Sequence, residues 1–317
     1  MANVVQTDFA WPDDSIERAV IEAAGHQLIT GPSAPASAAL IEELVAAHDP
    51  VAIMACWAPV SAKAVQSPSD LKVVQRIGVG LDNIDVEAAT ARGAWVANVP
   101  DYCVSEVSDH AIAMLLAWAR GIVTFDRAVK LGRWNPADAR LRRVSDLVIG
   151  IVGYGPIAQS TAAKLASFAC EVLVYRPSAK PVKHGRLVDF DTLLATSDVV
   201  ILHAPYTPTT HHLIDDASFG RMKRGAFVIN ASRGALVDSE ALISALESGQ
   251  ISGAGLDVVE GEPAPPSELV GRTDVIVTPH IAFSSEASLV ELRRRAAEEV
   301  VRVLAGEMPR NPCNKPR

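Results

Sequence analysis

Cysteine is scarce: Cys56, Cys103, Cys170 and Cys313 are the four in 317 residues. None are spaced as C-x-x-C and none stand beside a histidine at metal-ligand spacing, so no metal site is expected. Three lie in apolar stretches and read as small core residues. Positive charge is in deficit, 29 Lys and Arg against 37 Asp and Glu, for a formal net charge of -8. That disfavours a nucleic-acid partner, whose phosphates select basic surfaces. The basic cluster Arg293 to Arg295, in "ELRRRAAEEV", can pair with its own helix, Glu291 with Arg295 and Arg294 with Glu298. It reads as a solvated helix face. Long hydrophobic runs are also missing; the strongest, "AIAMLLAWA" at 111–119, is too short to cross a bilayer. The amino terminus, "MANVVQTDFA", lacks the basic-then-apolar pattern of a secretory leader. These absences point to a soluble protein of the reducing cytosol with no membrane partner. Apolar residues at 49% and charged residues at 21% are ordinary globular usage, and the length suits two domains.

What is present is alternation. "NVVQT", "HQLIT", "PVAIMAC", "LKVVQRIG" and "AWVANVP" read as strands, with helices at "DDSIERAVIEAAG" and "SAALIEELVAAH". Then "SEVSDHAIAMLLAWAR" predicts a long apolar helix, opened by a capping box at Ser105 and Ser108 and suited to bridge two domains. The alternation resumes with "LVIGIVG", "EVLVY", "DVVILHAP", "AFVINAS", "ISGAGLDV" and "DVIVTPH". The fold class is therefore α/β, two doubly wound parallel-sheet domains. The last helix, 286–305, follows no new strand and is expected to return to the first domain. That makes 1–100 with 285–317 one domain and 101–284 a second domain inserted in it.

The second block opens on strand, turn and helix around Gly153-Tyr154-Gly155-Pro156-Ile157-Ala158, a G-x-G-x-x-A fingerprint. Gly153 permits the turn, Gly155 lets backbone approach a pyrophosphate, and Ala158 allows close packing. Pro156 has no N–H, so Ile157 and the helix dipole carry more of the phosphate contact. Arg176 lies 18 residues beyond Ala158, in "VLVYRPSAK". An Asp or Glu there would accept bonds from the adenosine ribose. An arginine instead pairs with a 2′-phosphate and stacks on adenine, with Ser178 and Lys180 beside it. NADP(H) is favoured over NAD(H).

Three polar residues follow later strands at their carboxyl ends: Arg233 in "VINASRGALVD", Glu262 in "GLDVVEGEP" and His280 in "VIVTPHIAFSS". Beside a dinucleotide site they suggest hydride transfer. Together with "RIGVGLDNID", "DVVILHAPYTPTTHHLI" and "NVPDYCVSEVSDHAIAMLLA", they make the chain resemble the D-isomer-specific 2-hydroxyacid dehydrogenase family over nearly its whole length. The resemblance is to the branch near C-terminal-binding proteins and phosphoglycerate dehydrogenase-like enzymes.

The resemblance implies a Rossmann cofactor domain inserted in a flavodoxin-like substrate domain. It implies roles residue by residue. Arg233 holds the substrate carboxylate and carbonyl. His280 is the acid–base, and Glu262 orients its ring. Backbone N–H groups of Val79 and Gly80 bind the substrate carboxylate. Asp257 holds the nicotinamide carboxamide, and Ala204, Ala231 and Ser232 line the cofactor cleft. Trp57, Tyr102 and Trp134 are candidate pocket walls, with plain packing the alternative for each. The expected activity is NAD(P)-dependent reduction of a small 2-oxo acid such as glyoxylate or hydroxypyruvate to a D-2-hydroxy acid, in a homodimer. The alternatives are a nucleotide-sensing interaction protein resembling the C-terminal-binding corepressors, a phosphoglycerate dehydrogenase-type enzyme, and a dehydrogenase for another small anion such as phosphite.

Overall fold

Runs such as VVQR and VVIL, too short for a helix and rich in β-branched residues, form strands buried on both faces. The computed structural model describes residues 1–33, 36–178 and 180–316. The chain divides into two units, Met1–Tyr102 with Ser285–Arg317, and Cys103–Ser284. The first begins β1 (Asn3–Gln6), α1 (Ser15–Ala23), β2 (Gln27–Thr30), α2 (Ala38–His48), β3 (Ala52–Ala55), α3 (Ala62–Gln66), β4 (Val73–Arg76), α4 (Val86–Arg92) and β5 (Trp95–Ala97). The second holds α5 (Val104–Ala119), α6 (Ile122–Lys130), β6 (Val148–Val152), α7 (Pro156–Leu165), β7 (Glu171–Tyr175), β8 (Arg186–Leu187), α8 (Phe190–Thr196) and β9 (Val199–Leu202). It continues with α9 (Asp216–Arg221), β10 (Ala226–Asn230), α10 (Ser239–Glu247), β11 (Ile251–Leu256), α11 (Ser267–Val270) and β12 (Val275–Val277). The last helix, α12 (Glu286–Leu304), belongs to the first unit again.

Both sheets are parallel throughout. The first runs β2-β1-β3-β4-β5, and the second β12-β11-β10-β9-β6-β7-β8. In the second, successive crossovers leave β6 in opposite directions, so strand order reverses between β6 and β9. Open α/β sheets bind ligands in the crevice outside the strand ends at such a switch point. Its core lies on the sheet's two faces, with Phe227 fully buried and stacked on Trp118 at 4.7 Å. Burying such a ring contributes about 2–3 kcal/mol.

Three sequence expectations are corrected. The box at Ser105 and Ser108 does not form: α5 starts at Val104 behind Cys103, with no side-chain cap. Both serines sit inside the helix, where Ser108 Oγ donates to the Ser105 carbonyl and meets Ser160 Oγ at 2.9 Å. A capping box does open α12, between Ser285 and Ser288. Next, α5 does not span two domains as a free bridge but packs within the second unit, on α7, β10 and β11. Finally, Arg293 to Arg295 is not one solvated face. Arg293 is 7% exposed, and its guanidinium donates to the fully buried Glu17 carboxylate at 2.7–3.0 Å. Arg295 makes the expected pair with Glu291, whereas Arg294 stays exposed and Glu298 faces Arg310.

Candidate active site

At the end of β6, Gly153 takes φ 98, and a Cβ there would stand 2.6 Å from the His203 carbonyl oxygen just past β9. No side chain fits between these strand ends, so glycine is required at this point of the switch. Gly155 is the N-cap of α7, and a Cβ on it would meet nothing within 4 Å. Its outer side is open. Pro156 is at the first helical position, where its missing N–H removes a donor that has no intrahelical partner anyway. The N–H groups of Ile157 and Ala158 point out of the first turn for the same reason. An open backbone at a helix N-terminus fits the pyrophosphate of a dinucleotide. His203, unassigned in the sequence reading, is tied into this corner: its Nε2 lies 2.9 Å from Thr161 Oγ1, which donates to the Ile157 carbonyl. Burial pushes the His203 imidazole down to about 4, so it is neutral at pH 7.

Arg176 follows β7 directly, with its guanidinium 6.0 Å over the ring of Tyr154. Tyr154 is buried, and its hydroxyl accepts from the N–H groups of Lys183 and His184. The ring thus forms a floor beneath the loop that begins at Arg176. Ser178 Oγ is enclosed with no hydrogen-bond partner among the described residues, and Lys180 is exposed.

Past β9 and β10 stand Ala204, Ala231 and Ser232. Ser232 Oγ donates to the Leu202 carbonyl, and Asn230 brackets the turn by accepting from Ser232 N and donating to the Arg233 carbonyl. Arg233 itself donates to the Ser232 carbonyl at 2.7 Å. Next to it, a Cβ on Gly234 would lie 2.3 Å from the Val259 carbonyl carbon. The Arg233 turn therefore presses on the segment that leads to Glu262. Glu262 Oε1 and His280 Nδ1 are 2.8 Å apart. With Glu262 accepting from Nδ1–H, the carboxylate fixes the tautomer and the orientation of the ring.

His280 has φ 54, a left-handed conformation that costs a non-glycine residue about 1 kcal/mol or more. Asp257 holds it there. This buried carboxylate accepts from Thr278 Oγ1 at 2.6 Å, Ile281 N at 2.9 Å and Ala282 N at 2.8 Å, and the Asp257 carbonyl accepts from His280 N. His110 on α5 bonds Thr278 Oγ1 at 2.9 Å. Sequence reasoning missed His110 and Thr278 because neither is near Asp257 or the other in the chain.

In the first unit, the loop after β4 has its carbonyls engaged. Gly78 O accepts from Val99 N, Val79 O from Asn98 Nδ2, and Gly80 O from Arg76 Nε. Because a trans peptide points its N–H opposite its C=O, the Val79 and Gly80 N–H groups turn the other way. Neither has a hydrogen-bond partner among the described residues. Trp57 is half-buried under the Arg76 guanidinium, and its N–H donates to the buried Asp8 carboxylate. Asp8 was not anticipated; a polar residue at the end of β1 was its only signal. Tyr102 is buried, whereas Trp134, in the second unit, is 82% exposed.

A parallel sheet with a glycine turn at its switch point, and a His–Glu pair past later strands of that sheet, define a dinucleotide-binding class of protein. Residues 112–282 match the family model of the D-isomer specific 2-hydroxyacid dehydrogenase NAD binding domain. The chain is 35% identical over 300 residues to a glyoxylate reductase of Thermococcus litoralis, covering 91% of this chain and 90% of that one. It is 38% identical over 262 residues to a D-3-phosphoglycerate dehydrogenase of Archaeoglobus fulgidus, covering 81% of this chain. The chain spans about half the length of the phosphoglycerate dehydrogenases it matches, 50% in that case. Among solved structures, the TT0316 protein of Thermus thermophilus superposes with a TM-score of 0.90 at 32% identity, over 98% of this chain and 100% of that one. The chain belongs to the D-isomer specific 2-hydroxyacid dehydrogenase family.

Proposed function

We propose that the protein reduces a small 2-oxo acid of the glyoxylate or hydroxypyruvate type to the D-2-hydroxy acid, with NADPH preferred over NADH. The observation that carries this reading is the 2.8 Å pair of His280 Nδ1 and Glu262 in a loop fixed by Asp257. The nicotinamide, when bound, supplies the hydride in reduction and receives it in oxidation. His280 Nε2 delivers the proton to the carbonyl oxygen and recovers it from the hydroxyl in reverse. Glu262, on Nδ1, keeps the ring in the orientation this exchange needs. Arg233 holds the planar oxygens of the substrate. The outward N–H groups of Val79 and Gly80 hold its carboxylate. Gly153, Gly155, Pro156 and Ile157 receive the pyrophosphate, while Ala204, Ala231, Ser232 and Asp257 serve the nicotinamide half. Arg176, with the Ser178 hydroxyl, unpartnered among the described residues, two positions on, takes the 2′-phosphate.

Two further readings belong to the same proposal. Five large apolar side chains between Ile122 and Leu141 are 41–82% exposed, which supports a homodimer. Four free cysteines agree with a reducing cytosol.

The test is initial-rate reduction of glyoxylate and hydroxypyruvate with each cofactor, with oxidation of 3-phosphoglycerate and of phosphite as comparison arms. The expected result is turnover of a 2-oxo acid, faster with NADPH, and a loss of about 10²–10⁴-fold in kcat for His280→Ala. Arg176→Asp should lower kcat/KM with NADPH about tenfold, the scale of a charge-assisted hydrogen bond, and leave the NADH reaction standing. An NADH preference would overturn the assignment of Arg176. Turnover confined to 3-phosphoglycerate or phosphite would overturn the substrate class, and no turnover of any of them would favour an interaction protein.

A further inference from the structure

Outside the residues used above, His211, His212 and Glu260 bring one ligand atom each within 4.8 Å of one another. They come from two segments of the second unit, the loop between β9 and α9 and the loop after β11. We propose that they form a site for one divalent transition-metal ion of the zinc type, with Asp238 as its outer-sphere partner.

The backbone under the site is restrained. Thr210 Oγ1 accepts from Thr207 N and donates to the Pro205 carbonyl, and His211 N donates to the Thr207 carbonyl. His212 takes φ 49, and its N–H donates to the Ala235 carbonyl. On the facing segment, Glu260 N would be 2.4 Å from a Cβ on Gly234, so both loops are seated against the same Gly234–Ala235 turn after β10. The ligands are therefore largely pre-positioned.

The side chains have the arrangement a metal needs. The two imidazoles are stacked, with centroids 3.9 Å apart and planes 22° from parallel, so both can turn a nitrogen to the same side. His212 Nε2 is 2.8 Å from Glu260 Oε1. Ligand atoms around a tetrahedral ion with bonds of about 2.0–2.1 Å are about 3.3 Å apart. That pair need open by only about half an ångström, while His211, the exposed member, closes by rotation. Asp238 Oδ2 lies 3.4 Å from His212 Nδ1, and Asp238 Oδ1 is already committed to the first N–H groups of α10. A carboxylate on Nδ1–H selects the tautomer whose Nε2 lone pair faces Glu260. Two imidazoles and one carboxylate choose zinc, cobalt, nickel or copper over magnesium or calcium, which prefer all-oxygen shells. Three protein ligands leave a fourth position for water.

The site adjoins the chemistry without sharing its residues: Glu260 is two residues before Glu262, and Gly234, against which Glu260 packs, follows Arg233. Bound metal would cross-link the β9–α9 loop to the segment that carries Glu262.

The experiment is calorimetric titration of untagged, chelator-treated full-length protein with Zn²⁺ in a non-coordinating buffer, with Mg²⁺ as control. Absorbance of the Co²⁺ form reports coordination geometry. One equivalent per chain, tetrahedral Co²⁺ bands and no Mg²⁺ response are expected. His211→Ala, on an exposed side chain, and Glu260→Gln should each weaken Zn²⁺ at least tenfold. His212→Asn should do the same while retaining the left-handed backbone, which asparagine tolerates. Zn²⁺ should raise the melting temperature of the parent protein and not of His211→Ala. Unsaturable binding, equal response to Mg²⁺, or Zn²⁺ affinity unchanged in the three variants would overturn the site and leave His212–Glu260 as an ion pair.

Discussion

His203 shows how one side chain couples the cofactor corner to pH. Its imidazole is held neutral by burial, down to about 4 against 6.5 in the open chain. Between those values the unfolded state binds more protons than the folded one, so stability is fully present above about pH 6.5 and is lost as pH falls toward 4. The slope reaches at most about 1.4 kcal/mol per pH unit, and the residue's partial exposure makes that an upper bound. Urea unfolding at pH 7, 6, 5 and 4.5 should show the decline. His203→Gln, which keeps a donor toward Thr161, should flatten it; an unchanged pH profile in that variant would remove His203 as the cause. At this scale the sequence indicated residue types well. Gly153, Arg233, Glu262 and His280 stand out from spacing and strand order. The supporting residues do not: His110 meets Thr278 across 168 positions and, within the first unit, Asp8 holds Trp57 across 49, which no local pattern records.

Helix α12 shows the same division among elements. Its 3.6-residue periodicity is plain in the sequence, and a helix without its own strand has to find a core elsewhere. Which side of "RRR" is buried was not readable, because arginine is normally a surface residue. The structure places Arg293 between Trp11, 5.2 Å under its guanidinium, and the carboxylate of Glu17 on α1. Breaking such a buried pair from one side strands a charge. Glu17→Gln should therefore cost about 3–5 kcal/mol, whereas a double replacement by Leu at 17 and Met at 293 should recover most of it. Chemical denaturation of the three proteins checks this; a single variant as stable as the parent would show the pair to be solvated. The capping boxes make a similar point. Ser105 and Ser108 have the right spacing, yet the N-cap of α5 is Cys103, two residues before Ser105, and the box forms instead at Ser285 and Ser288.

For the whole molecule, the exposed apolar surface of α6 and the loop after it is the feature that a lone chain leaves unexplained. Ile122 is 61%, Leu131 65% and Trp134 82% exposed. Sedimentation equilibrium should give twice the chain mass of 33.6 kDa, and Leu131→Glu with Trp134→Glu should reduce it to one. A parent protein that sediments as a single chain at micromolar concentration would count against the pairing. The fold class followed from one-dimensional facts: short β-branched runs, helices between them and a glycine turn constrain the chain locally, through sterics and the period of the backbone. Strand order, the switch point at Gly153 and His203, the shelter of Arg293, and the meeting of His211 and His212 with Glu260 depend on which distant surfaces exclude water together. Those contacts are decided by packing in three dimensions, where any pair of positions can be neighbours, and so only the folded chain discloses them.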